Sequence, residues 1–166
     1  MTSVALDPHA GINAGPFRRI AASILSTDSS RTLTFLRIVL GLVMLPHGLQ
    51  KTIGWFGGPG YAGTMGFFTS IGIPAFLGFL AIAAESAGAI ALIAGVGTRI
   101  AALGILTNMI VAALMHRANG FFMNWSGQQA GEGFEYHILA IAIALILVVR
   151  GAGRWSVDRA LPVSNH

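Results

Sequence analysis

Four long apolar stretches, at residues 32–53, 74–96, 98–117 and 134–149, leave this chain few ways to fold. A hydrocarbon core of about 30 Å is crossed by about 20 mostly apolar residues in α-helical form. The first three stretches reach that length; the fourth is shorter and begins in the headgroup zone near Glu132. No stretch alternates with the period of a β-barrel strand, and the helix is then the one spanning structure that satisfies its own backbone in lipid. The chain therefore reads as all-α. It forms an integral membrane four-helix bundle over residues 32–160, between a polar tail (1–31) and a short C-terminal tail (161–166).

Composition agrees with lipid as the main solvent. Of 166 residues, 54% are hydrophobic and 10% charged, whereas a soluble domain carries about 25% charged residues. Twenty-two glycines suit helices that approach closely where no hydrophobic force separates helix from lipid. The net charge of +4 is spread over ten basic residues that form no run, so nucleic acid is not an expected partner. Cysteine is absent. Disulfides, iron–sulfur clusters, thiolate zinc and thiol redox chemistry are thereby excluded, and any redox role must use an organic cofactor, a non-thiolate metal or a partner protein.

Charge placement predicts topology. Arg18, Arg19, Arg31 and Arg37 precede or open the first apolar stretch, Arg99 follows the second, and Arg150, Arg154 and Arg159 follow the fourth. Only Lys51 and Arg117 fall at the opposite face, so the positive-inside rule places both termini in the cytoplasm of a bacterial inner membrane. Trp55, Phe56, Tyr61, Trp125 and Tyr136 would form the outer aromatic belt, with Trp155 at the inner end. The tail lacks the apolar core of a cleavable signal and reads as cytoplasmic, with a short interfacial helix around 17–25. The inner turn at Gly97 is minimal. The two outer connections, 54–73 and 119–133, are long, and a short surface helix is expected over 61–70.

The informative residues are polar ones where lipid is expected, because an ionisable group inside a span costs at least about 2.5 kcal/mol unless paired or facing a cavity. In the first helix Arg37, His47 and Lys51 share a sector of about 80° at 100° per residue. Glu85 lies near mid-depth in the second helix and Asn108 in the third; His116 and Arg117 end the third, and Glu135, Tyr136 and His137 open the fourth. At about 1.5 Å per residue His47, His116 and His137 share one depth in the outer third. Antiparallel packing could gather them around one outward-facing cavity with Lys51 and the carboxylates of Glu85 and Glu135. Pro46 leaves the carbonyl of Leu42 without its helical donor beside His47.

The structural alternatives are plain. Glu85 can serve only to bond Asn108, Arg37 or Lys51 as polar glue between helices. Arg37 is close enough to the inner face to snorkel, and the small residues around Glu85 suit packing. As a functional set, His47, Glu85 and His116 would exchange protons, while Lys51, Asn108, Arg117, Glu135, Tyr136 and His137 would contact a ligand. Histidine titrates in the range that such proton exchange needs, and a quinone head group lives at this depth. The same histidines and Glu135 could hold a metal, although no pair has i,i+4 ligand spacing. No dinucleotide fingerprint, P-loop or nucleophile elbow occurs.

Several segments together resemble the DoxX family of small four-helix membrane proteins. They are His47-Gly48-Leu49-Gln50-Lys51, Glu85, Thr98-Arg99, Asn108, the run from His116 through Asn119-Gly120-Phe121-Phe122, Glu135-Tyr136, and Gly151-Ala152-Gly153-Arg154-Trp155-Ser156-Val157-Asp158. The resemblance spans about residues 33–160. It implies kinship with the membrane subunit of thiosulfate:quinone oxidoreductase and with membrane complexes that handle sulfur compounds, oxidative stress or quinone-like molecules. Three functions are then expected to compete: a quinone-binding redox subunit that takes electrons from a sulfur donor or partner protein, a binder or transporter of small quinone-like molecules, and an anchor for a partner oxidoreductase or a homo-oligomer. Lys51 and Arg117 would draw an anion such as thiosulfate, against the opposing charge of Glu132 and Glu135.

Overall fold

A computed structural model describes residues 16–161 of the chain, and among these every regular element is helical. The elements are α1 (Pro16–Leu25), α2 (Arg31–Thr52), α3 (Gly60–Ser70), α4 (Ala75–Ala94), α5 (Thr98–His116), α6 (Glu135–Arg150) and α7 (Val157–Ala160), with single 3-10 turns at Trp55–Gly57 and Arg117–Asn119. The expected helix at 17–25 is α1, and the expected surface helix at 61–70 is α3. Residues 1–15 and 162–166, which include most of the N-terminal tail, lie outside the described residues.

The chain is a helical membrane bundle. Helices α2, α4 and the segment Thr98–Asn119 are each long and apolar enough to cross a bilayer. Helix α6 has 16 residues and a length of about 24 Å at the helical rise, short of a full hydrocarbon core. The helices pack in the order α2, α4, α5, α6, with a smaller contact closing α6 back onto α2. Their shared core is Leu40 and Met44 from α2, Ala89 and Leu92 from α4, Ile105 and Met109 from α5, and Ala140, Ala144 and Leu147 from α6. Phe35, Phe76, Leu80, Ile100, Leu114, Leu139 and Val149 point away from it and are exposed, as befits residues whose solvent is lipid.

Small residues set the closest approach. A Cβ on Gly48 of α2 would stand 2.6 Å from the Cα of Ser86 in α4, so nothing larger fits. Gly41, two turns earlier on the same face, would meet the Ala89 carbonyl at 2.9 Å. This contact brings the polar C-terminal half of α2 against Glu85.

The two ends of the bundle are built differently. At one end, here the arginine end, Arg37 is 1% exposed rather than snorkelling. Its guanidinium donates to the carbonyls of Leu92, Ile93, Ala152 and Trp155. Depth in the sequence suggested escape to water, but the C-terminal segment folds over α2 and α4 and supplies acceptors in place of water. Asp158, 2% exposed, accepts from the backbone N–H groups of Gly97 at 2.6 Å and Thr98 at 2.9 Å. A distant carboxylate thus caps the positive end of α5, where no side chain of the turn itself does. Arg99 donates to the carbonyls of Ser26 and Val148, and Arg150 pairs with Asp28.

Candidate functional site

The opposite end carries the polar residues singled out in the sequence, and the structure divides them into a network, a ring cluster and a groove. In the network, Glu85 is ion-paired with Lys51 through Oε2, and its Oε1 accepts from Asn108 Nδ2 at 3.4 Å. Asn108 also donates to the Ala81 carbonyl at 2.7 Å, which fixes the amide against α4. The Glu85 side chain is 8% exposed and that of Lys51 27%. Of the partners open to Glu85 in the sequence, Lys51 and Asn108 are realised, while Arg37 is engaged at the far end.

The rings follow beside this network. His116 of α5 stacks on His137 of α6 with centroids 5.2 Å apart. His137 meets Tyr136 at 5.6 Å, and Tyr136 faces His47 of α2 at 6.3 Å. Tyr136 directs its hydroxyl to the sulfur of Met44 at 3.5 Å. His137 is buried, and its Nδ1 has no partner in hydrogen-bond geometry; the backbone of Phe134, one turn back, is its polar neighbour. Glu85 is near enough to act electrostatically on His47, Tyr136 and His137. His47 itself is exposed at the bundle surface, and His116 is half-buried. The shared depth expected of the three histidines thus comes with different facings.

The groove lies between the end of α2 and α3, with a volume of about 410 Å³. Pro59, Gly63, Phe67 and Phe68 form its apolar wall, and Gln50, Lys51 and Thr64 complete the lining. Helix α3 is held there by the Thr64 hydroxyl, which donates to the carbonyls of Gly60 and Lys51. Lys51 belongs to both the groove and the buried ion pair. That double membership had no signal in the sequence beyond the position of Lys51 at the helix end.

Two candidates stand apart. Glu135 turns to the loop, where its Oε1 accepts from the Met123 N–H and the Trp125 indole N–H, each at 3.1 Å. The second carboxylate expected in the cavity is therefore occupied with folding the 119–134 connection, together with Glu132, which accepts from Asn124 N–H. The Arg117 side chain is exposed and makes no hydrogen bond or ion pair among the described residues. No three histidine or acidic side chains among the described residues converge as a metal-ligand set.

Fold and site together define a small helical membrane protein with a buried ion pair and an adjoining apolar groove. The DoxX family profile matches residues 32–118, and the chain belongs to that family. It is 30% identical over 112 residues to the protein named "Putative oxidoreductase CatD" of Bacillus subtilis, covering 68% of this chain and 75% of that one. It is likewise 30% identical to "Uncharacterized membrane protein Rv3486" of Mycobacterium tuberculosis, covering 83% and 86%. To "Inner membrane protein YqjF" of Escherichia coli it is 30% identical, covering 75% and 91%. No solved structure matches.

Proposed function

We propose that this protein is the membrane subunit of a quinone-linked redox system, with a ligand site at the histidine end facing the outside of the inner membrane. The observation that carries this reading is Glu85, a carboxylate 8% exposed inside a spanning helix and ion-paired to a lysine that also lines a groove. As helix glue alone a buried ion pair is a poor choice, because well-packed apolar residues of similar volume are commonly neutral or better. Ionisable groups retained inside spans mark ligand and proton sites.

The residues present fit a quinone. The faces of Phe67, Phe68 and Pro59 suit a flat ring, and the Lys51 ammonium is a donor for a carbonyl oxygen. When bound, a quinone supplies two-electron, two-proton redox chemistry. The chain's own part is to hold the ring out of water and to carry protons. Glu85 is the deep proton-binding group, and Tyr136, His137 and His116 lie in ring contact from there toward the helix ends. Electrons come from a sulfur donor or a partner protein, since the chain has no cysteine to form a thiol redox centre of its own. The name of the Bacillus relative supports an oxidoreductase setting, and the sulfur-compound or oxidative-stress role is what the family resemblance implies.

Mass spectrometry of the organic extract from purified protein tests this, beside the triple variant Glu85→Gln, His47→Ala, His116→Ala. Stoichiometric quinone in the wild type that is lost in the variant supports the redox reading. A wild type without quinone, and a variant changed only in stability, turn the polar network into helix glue and favour an anchor for a partner oxidoreductase.

A further inference from the structure

We infer that the Lys51–Glu85 pair and its groove form a binding site for lipophilic weak acids, taken up in split form with the anion on Lys51 and the proton on Glu85. The inference rests on the reading of this end as a ligand site, but it does not require a quinone.

The argument is electrostatic. An anion entering the groove finds one cationic residue in its lining, Lys51, whose ammonium already faces the Glu85 carboxylate. Two anions against one cation would leave an uncompensated negative charge beside the buried Glu85 carboxylate, which is unfavourable. Protonating Glu85 removes it. The exchange balances as Lys-NH3+ with Glu-COO− plus HA giving Lys-NH3+ with A− plus Glu-COOH, so net charge in the site is unchanged and no bond other than O–H is made or broken.

The surroundings suit that exchange. Glu85 is faced by Lys51 and His47 from α2, by Asn108 from α5, and by Tyr136 and His137 from α6. None of these is a second carboxylate, because Glu135 is bonded into the 119–134 loop. Asn108 offers both a donor and an acceptor, so it can serve Glu85 in either protonation state. The groove wall of Pro59, Gly63, Phe67 and Phe68 would cover an apolar body. Glu85 thus gives the site a preference for an acid over an alcohol or a permanent anion.

Octanoate is the probe. It is titrated by calorimetry into the full chain in phosphatidylcholine nanodiscs, in buffers of different ionisation enthalpy. The expected result is saturable binding with uptake of about one proton per octanoate, and a new infrared band of a protonated carboxyl that persists when octanoate is carbon-13 labelled. Lys51→Gln is expected to weaken octanoate by about tenfold or more while leaving octanol partitioning unchanged. Glu85→Gln is expected to lose the infrared band. Binding without proton uptake, no new carboxyl band, or equal affinity in Lys51→Gln would each overturn the inference. Because the wild-type proton count and band stand alone, misfolding of a variant does not remove the test. A protein that copurifies with quinone but fails with octanoate sinks this inference and spares the redox reading; octanoate binding without quinone does the reverse.

Discussion

Asp158 caps Thr98 across 60 residues of sequence, accepting its backbone N–H at 2.9 Å while the Asp158 N–H donates to the Gly95 carbonyl at 2.9 Å. The C-terminal segment is therefore part of the turn between α4 and α5. Removing the carboxylate with Asp158→Ala strips two charge-assisted bonds from a buried site. Such bonds contribute about 1.5–3 kcal/mol each, so a loss of about 3–6 kcal/mol is expected. Denaturant titration of the detergent-solubilised protein measures it; a change below about 1 kcal/mol would mean that water replaces the cap.

Lys51→Met leaves Glu85 buried without its cation, and breaking such a pair costs about 3–5 kcal/mol. The double variant Lys51→Met, Glu85→Gln removes both charges and keeps a group for Asn108 to bond, and it is expected to regain most of that stability. A double-mutant cycle by denaturation reads the coupling. Strictly additive losses would show that the two side chains do not act as a pair.

How legible was this in the sequence? Apolar length read the bundle well, because the cost of exposing backbone to lipid dominates every local preference. Helices α2, α4, α5 and α6 accordingly fall on the four apolar stretches. The exposure and pairing of side chains were not legible: His47 lies at the same end as His116 and His137 but is more exposed than either, and the choice of Lys51 over Arg37 for Glu85 depends on the register of antiparallel helices. Arg37 was misread for a related reason. Its acceptors at Ala152 and Trp155 lie 115 and 118 residues away, where no spacing rule reaches. Glu135 looked like part of a cavity because its loop partners, Met123 and Trp125, carry no signal of their own.

Gly48 and Gly66 make a matched contrast. A Cβ at Gly48 would meet the backbone of Ser86 at 2.6 Å, whereas one at Gly66 would meet nothing within 4 Å. Gly48→Ala must push α2 away from α4 and is expected to cost about 1–3 kcal/mol. Gly66→Ala lies within the helical backbone of α3 and is expected to gain about 0.5–1 kcal/mol. Denaturation midpoints of the two variants check the pair, and similar values would show that the α2–α4 approach is looser than it is drawn here.

The proposed orientation has its own test, and the lack of native cysteine makes it clean. The positive-inside bias draws on Arg37, Arg99 and Arg150, yet all three are engaged in holding the arginine end together. Their number is therefore weaker support for topology than it looks, and Arg31, Arg154 and the tail must sustain it. Single cysteines at Gln128, in the exposed 119–134 connection, and at Arg154, exposed at the arginine end, report the two faces. With both termini in the cytoplasm, a membrane-impermeant maleimide added to intact cells labels Gln128→Cys and spares Arg154→Cys until the membrane is opened. The reverse pattern would turn the bundle over. The Lys51 groove would then open to the cytoplasm, and electron donors and acids would have to come from that side.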